Sequence, residues 1–391
     1  MALLTRILLM ASSMLLSACA QNQTPGQGLL SLMVAAGKLY FGTAMETTNF
    51  DDADYQTISN NRNEFGMFTH ENSLKWEVTE PQQGQFVFTQ SDAVAQKVKS
   101  NGQQLRCHTL TWHSQLPSFV SSGTWTPTTL SAVITAHITN VVTHYAGQCY
   151  AWDVVNEALN DNGTFRQSVF FTTMGAAYIP LSFQVAASAD PSTKLYYNDF
   201  NLETVPAKAD GAAQIVQLVK DTGAKIDGVG FQAHLTVGQT SSRESLAATL
   251  SRFTALGVEV AYTELDIAHP RLPASDADRE QQSQDYAAAV GSCLDVEGWV
   301  PSTFPGKGDA CLYTARYEKK LAYLAVERLL VKAGAARGGA SASGSTGGAN
   351  RTDGAPAAVK AAAAVMGGAS KTIAGVLRGL VASVMAAMLI L

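Results

Sequence analysis

Two carboxylic acids stand at matched places in the chain. The run Trp152-Asp-Val-Val-Asn-Glu157-Ala-Leu ends a β-rich segment in Glu157, with the amide of Asn156 just before it, and Ala261-Tyr-Thr-Glu264-Leu-Asp266-Ile ends a second such segment in Glu264. Two carboxyl groups facing one cleft are the equipment for cleaving a glycosidic bond: one protonates the leaving oxygen, and the other attacks the anomeric carbon or activates water. Either glutamate alone would read as a surface or ion-pair group. Their company changes that reading, because Glu71, Trp112, Asp199 and His234 close other strand-like runs in the same way.

The elements that must position these residues follow from the period of the apolar positions. Strand-like runs are expected at Tyr40–Ala44, Met67–Glu71, Gln104–Trp112, Ala151–Glu157, Lys194–Asp199, Gly228–His234 and Glu259–Asp266. Between them lie helical patterns such as Asp92–Ser100, Thr129–Tyr145, Ala207–Asp221, Arg243–Leu256 and Asp278–Cys293, with apolar residues three and four apart. Strand and helix in alternation are the signature of a parallel α/β sheet. A doubly wound open sheet would show the same alternation, but no GxGxxG follows the first strand. Active residues at nearly every strand's carboxyl end favour a (β/α)8 TIM barrel, where those ends converge on one mouth.

Composition agrees with a barrel. A chain of 391 residues with 46% hydrophobic and 15% charged residues can bury a large core as one domain. Lys+Arg 27 against Asp+Glu 32 leaves a net charge of -5, which excludes a basic nucleic-acid footprint. Five cysteines without CxxC or CxxH spacing argue against a structural metal, and two carboxylates require neither metal nor cofactor.

Seven motifs in order carry a resemblance to the fungal endo-1,4-β-xylanases of glycoside hydrolase family 10. They are Gly42-Thr-Ala-Met-Glu-Thr-Thr-Asn-Phe, Glu71-Asn-Ser-Leu-Lys-Trp-Glu, His108-Thr-Leu-Thr-Trp-His-Ser-Gln-Leu-Pro, Trp152-Asp-Val-Val-Asn-Glu-Ala-Leu, Tyr196-Tyr-Asn-Asp-Phe-Asn, Gly230-Phe-Gln-Ala-His-Leu and Thr263-Glu-Leu-Asp-Ile. The resemblance spans residues 29–333 and implies a retaining endo-hydrolase of xylan or arabinoxylan, with Glu157 as acid/base and Glu264 as nucleophile. Retention calls for carboxyl groups about 5–5.5 Å apart. Asn156 is then expected to bind the sugar 2-hydroxyl, with His234 and Asp266 orienting Glu264. Glu71, Asn72 and Lys75 match the cluster that holds the next sugar toward the non-reducing end. His108, Gln232 and Trp112 match groups around the reacting sugar, and Tyr197 and Asn198 are expected on the leaving-group side. Trp76 and Trp125 are expected to pack. Action on β-glucan or aryl-cellobiosides shares this chemistry and stays open, although Glu71, Asn72 and Lys75 favour xylose.

The chain departs from the resemblance after Cys293. Where the family has an eighth strand, a tryptophan over the reacting sugar and a second cysteine, this chain runs directly through Glu297-Gly-Trp299-Val-Pro-Ser-Thr-Phe-Pro305. Trp299 matches only the later aromatic of that loop and is expected to bind sugar. The barrel is therefore expected to have a truncated eighth strand, with strands seven and one exposing unpaired edges. Pro301 and Pro305 argue against a replacement strand. A gene-model error, a poorly folding splice form and a diverged protein all fit, and the last would be an impaired or non-catalytic, wall-associated carbohydrate-binding protein. Cys107 and Cys149 are expected free or paired with each other; Cys293 lacks its family partner, leaving Cys311 as the spare.

Both ends carry targeting signals. Arg6 followed by Ile7–Leu16 and Ala18-Cys19-Ala20 reads as a secretory signal peptide over residues 1–20, with a lipoprotein box at Leu16–Cys19 as the alternative. From Gly334 the composition falls to Gly, Ala and Ser, a flexible stalk over 334–370. Residues 371–391 form a short apolar tail that fits a GPI-attachment signal, with a single-span anchor as the alternative. The expected product is a secreted, cell-surface monomer that meets the membrane only through lipid. Asn22, Asn162 and Asn350 begin glycosylation sequons.

Overall fold

The computed structural model describes residues 27–296, 299–303 and 308–343. Its strands are β1 (Gly42–Met45), β2 (Met67–His70), β3 (Gln104–Trp112), β4 (Cys149–Asn156), β5 (Lys194–Asp199), β6 (Gly228–Phe231), β7 (His234–Thr236), β8 (Glu259–Ala268) and β9 (Trp299–Thr303). β1 to β6 pair in sequence order, β6 pairs with β8, β8 with β9 and β9 with β1, all parallel, so eight strands close a ring. β7 lies outside that ring and extends the sheet along the carboxyl end of β8, with His234 opposite Asp266. The architecture is the (β/α)8 barrel expected from the sequence.

Strands buried on both faces give the near-continuous apolar runs of a parallel sheet. β4 is buried at all but one of its positions. The large core lies between the ring and the helices, while Tyr40, Met67, Ala151, Tyr196 and Ala261 form a second cluster. Helices begin where short polar side chains cap free backbone amides: Thr126 ahead of Pro127–His144 and Ser275 ahead of Asp276–Leu294 both form capping boxes. Trp76 stacks on His137 at 3.8 Å between ring centroids and Trp125 donates to the Val120 carbonyl, so both pack as expected.

Three expectations need correction. The unpaired edges are not there: β9 takes the eighth position, with Trp299 opposite Val260 and Ser302 opposite Gly42. Pro301 is tolerated because it removes only one donor from a five-residue strand. The β8–β9 register shifts just past it, and β1 is paired only at Ser302 and Thr303. The strand is short, yet it closes the ring, and the ground for a non-catalytic reading goes with the open edge. Pro305 lies outside the described residues. The third correction is at Gly334, where the flexible stalk was expected to begin. The helix Leu321–Ser343 continues through it, because alanine is the best helix former and Arg337 ties the helix to the Ala36 carbonyl at 2.8 Å.

Cys107 on β3 and Cys149 on β4 form a disulfide, with Cα atoms 5.8 Å apart. The Cys293 thiol is buried and donates to the Ala289 carbonyl. Asn162 lies exposed in the turn after β4. The signal-like run, Asn22, Asn350 and the apolar tail lie outside the described residues.

Candidate active site

The carboxyl ends of β3, β4, β5, β6 and β8 bring the two glutamates into one polar network. β4 ends at Asn156, and Glu157 follows with φ of 54°, a left-handed turn that lifts its side chain out of the strand. Its amide donates to the Asn198 carbonyl at 2.9 Å, and Gln232 Nε2 donates to its Oε1 at 3.0 Å. The Asn156 amide sits among three neighbours: Asn198 Nδ2 at 3.0 Å and Gln232 Nε2 at 3.2 Å on one end, and Trp112 Nε1 at 3.3 Å on the other.

Glu264 is more tightly held. It is 8% exposed and accepts from Asn198 Nδ2 at 3.1 Å, and its other oxygen is 3.3 Å from His234 Nε2. The opposite ring nitrogen of His234 is 3.1 Å from Asp266 Oδ1, so the imidazole bridges two carboxylates. β8 supplies both acids from alternate positions on one face. Burial alone would lower the basicity of His234, but Asp266 and Glu264 outweigh it and push its pKa up to about 10. Burial likewise pushes Glu264 up, and the His234 contact together with the charge of His108 outweighs that and holds it below the ordinary glutamate value. Glu264 is thus an anion at neutral pH facing an imidazolium.

The loop after β2 supplies the rest of the cleft. Lys75 Nζ donates to Asn72 Oδ1 at 2.9 Å and lies 5.1 Å from the centre of the Trp112 ring. Burial holds the pKa of Lys75 below the ordinary lysine value, against the opposing charges of Glu264, Glu71 and Glu157. Glu71 is raised by burial and by Glu46, with Lys75 opposing. His108 is fixed by Asp153, whose other oxygen takes the fully buried Arg106.

The structure gathers Glu71, Asn72, Lys75, His108, Trp112, Asn156, Glu157, Asn198, Gln232, His234, Glu264 and Asp266 at this mouth. One expected residue lies elsewhere, and a second is placed by its backbone alone. Tyr197 faces the helix layer with no exposure and donates to Asp199, because Asn198, not Tyr197, occupies the inward phase of β5. Trp299 pairs with Val260, four positions before Glu264, so its backbone lies about 13 Å of strand from the mouth. Its side chain lies outside the described residues. Asn198 reaches the mouth, where it is wholly buried and donates to Glu264.

Sequence reasoning missed Glu46 and the Arg106–Asp153 pair. Glu46 accepts from the amides of Thr47, Asn72 and Ser73, fixing the loop that carries Asn72 and Lys75. Its position just after β1 was the available signal. Arg106 and His108 share one face of β3 by alternation, a clue to a common partner.

A closed parallel barrel whose strand ends set two glutamates in a cleft of amides and aromatic rings defines a glycoside hydrolase. Comparison with known proteins then places it more narrowly. The profile described as Glycosyl hydrolase family 10 matches residues 28–329. Endo-1,4-beta-xylanase 5 of Pyricularia oryzae is 54% identical over 328 residues, covering 80% of this chain and 81% of that protein. Endo-1,4-beta-xylanase 1 of Humicola insolens is 51% identical over 337 residues, covering 82% and 79%. Among solved structures, Penicillium canescens endo-1,4-beta-xylanase XylE superposes with a TM-score of 0.75 at 36% identity, covering 78% of this chain and 98% of that one. The chain belongs to glycosyl hydrolase family 10.

Proposed function

We propose that the protein hydrolyses internal 1,4-β-xylosidic linkages of xylan by double displacement. Glu264 attacks the anomeric carbon as Glu157 gives its proton to the leaving oxygen, and a covalent glycosyl-enzyme forms. Glu157 then takes a proton from water, which attacks the same carbon and releases Glu264 with the configuration retained. The observation that carries this division is the unequal setting of the two acids. Glu264 is buried against His234 and stays ionised, as a nucleophile must, whereas Glu157 is half-buried and accepts from the side-chain amide of Gln232. Glu71, Asn72 and Lys75 hold the neighbouring sugar.

The test separates the two roles. Glu264→Ala should lose turnover on every substrate by at least roughly 10⁴-fold. Glu157→Ala should keep forming the glycosyl-enzyme from aryl xylobiosides with good leaving groups and recover turnover with added azide. Equal loss without azide rescue, or release of the α-anomer first by proton NMR, would overturn the assignment.

The targeting reading extends this proposal to the cell surface. The apolar run at Ile7–Leu16 supports export, and the uncharged tail after Arg378 supports a lipid anchor. Release of activity from intact cells by a phosphatidylinositol-specific phospholipase tests the anchor, and an unchanged bound fraction would rule it out.

A further inference from the structure

The end of the barrel opposite the mouth is where the first and last described helices meet. The helix Leu29–Ala35 leads through Lys38 and Leu39 into the amino end of β1, and the helix Leu321–Ser343 packs beside it. Gly334 lies against Ala35, and Arg337 crosses Gly37 to donate to the Ala36 carbonyl at 2.8 Å. Catalysis uses none of these residues.

This face mixes exposed apolar side chains with cations. Val34, Leu39 and Val331 are each more than half exposed. On the last helix Arg328, Val331, Lys332 and Ala335 recur three and four residues apart and are all exposed, so they form one outward stripe. Neither Arg328 nor Lys332 pairs with an acid among the described residues, and neighbouring acids are already matched: Glu327 faces Lys319 at 3.9 Å and Asp295 takes Arg243 at 2.6 Å. No acidic residue occurs from Gln27 to Met45 or from Arg328 to Ser343. The chain as a whole carries a net charge of -5, so this cationic face runs against the overall balance.

We propose that this face rests on an anionic lipid surface, so that the barrel stands on its amino end with the mouth turned away from the membrane. The proposal rests on the export reading above and names the surface that the exported enzyme meets. A lipid interface takes apolar side chains among its headgroups and cations beside its phosphates, which are the two kinds of group exposed here. A few valine and leucine side chains with a few cations give weak, reversible association. Joined to a lipid anchor, the same contact becomes intramolecular and is strengthened by effective concentration. The anchor then supplies retention, and the face supplies orientation.

The exported enzyme is treated with phosphatidylinositol-specific phospholipase to remove any lipid. It is then sedimented at low salt with vesicles of phosphatidylcholine alone, or of phosphatidylcholine with about one third phosphatidylinositol. It should bind the mixed vesicles, bind the neutral ones less, and come off as salt is added. Lys332→Glu should lower the partition onto the mixed vesicles at least roughly fivefold, with kcat/KM on an aryl xylobioside unchanged. Arg271→Glu makes the same change of charge beyond the carboxyl end of β8 and should leave the partition as it was. Val331→Asn should weaken binding as well, since the apolar part of the contact goes. Equal binding to both kinds of vesicle, no binding to either, equal loss in Lys332→Glu and Arg271→Glu, or displacement from the vesicles by soluble glucuronoxylan, which would assign the cations to an acidic polymer, would each overturn the membrane face. Vesicle binding without any phospholipase release from intact cells would refute the anchor and leave the face standing, whereas an enzyme found only inside the cell would refute export and this placement with it.

Discussion

The wall of the barrel from β3 to β8 and the seam where β9 meets β1 are built differently. In the wall, strands of up to ten residues pair over four or more positions, and their carboxyl ends interlock through Asn156, Asn198, Gln232, His234 and Glu264. At the seam, β1 and β9 share two register positions, one strand contains a proline, and a cavity opens above the contact. The wall spends its ordering on chemistry, whereas the seam does little more than close the ring. Substitutions of the same chemical size should therefore cost activity in the wall and stability alone at the seam.

Away from the two acids themselves, the largest expected effect comes from a single methyl group in the wall. A Cβ at Gly230 on β6 would stand 2.2 Å from Asn198 Oδ1 and 2.8 Å from Thr263 Cγ2. Something must move, and Asn198 is the group that hydrogen-bonds Glu264. Overpacking of this kind costs about 1–3 kcal/mol of stability. Displacing the nucleophile's partner should cost more in rate, on the order of a hundredfold in kcat/KM by analogy with misplaced catalytic groups. Gly230→Ala assayed on an aryl xylobioside, with folding checked by circular dichroism, measures it. A folded variant with near wild-type kcat/KM would show that Asn198 does not position Glu264.

A smaller effect follows from protonation of His234. Its folded pKa lies near 10, above the ordinary 6.5, so the imidazolium's contribution to stability is fully present below pH 6.5 and is lost as pH rises through about 10. The side chain is 38% exposed, and solvent screening limits the size of that contribution. Urea unfolding at a series of pH values should show stability declining across this window, with a shallower decline in His234→Gln. Activity should fall over the same range, because Glu264 loses its cationic neighbour. Identical pH slopes for the two proteins would mean that the ring does not hold its proton between Asp266 and Glu264.

Much of the wall was legible in the sequence, and most of the seam was not. Gln104–Trp112 and Lys194–Asp199 occupy the expected spans because buried parallel strands carry unbroken apolar runs. Gly228–His234 was expected as one strand. It breaks at Gln232 and Ala233, where Ala233 adopts φ of 59° and turns His234 toward Asp266, and no periodicity announces a left-handed residue. Tyr197 and Asn198 are adjacent in one polar motif, and only the phase of the strand decides which faces the sugar. The eighth strand escaped notice because Pro301 is a poor central-strand residue by rule, whereas closure of the ring supplied pairing partners that local sequence could not reveal.

The smallest expected effect lies at the seam and decides whether the contrast holds. Gly308 sits where the chain returns to β8, with φ of +69°, and its carbonyl accepts from His269 at 3.0 Å. A Cβ there would meet the His269 carbonyl oxygen at 3.0 Å and the Ala268 Cβ at 3.4 Å, tight but not overlapping. The main cost of Gly308→Ala is then the left-handed backbone, about 1–2 kcal/mol for a residue with a Cβ. No catalytic side chain leans on this position, so the cost should appear in the urea midpoint and leave kcat/KM of the folded enzyme unchanged. Should kcat/KM instead fall in step with stability, the strain must travel along β8 from Ala268 to Asp266 and Glu264. The seam would then be part of the catalytic apparatus, and the short eighth strand a determinant of rate as well as closure.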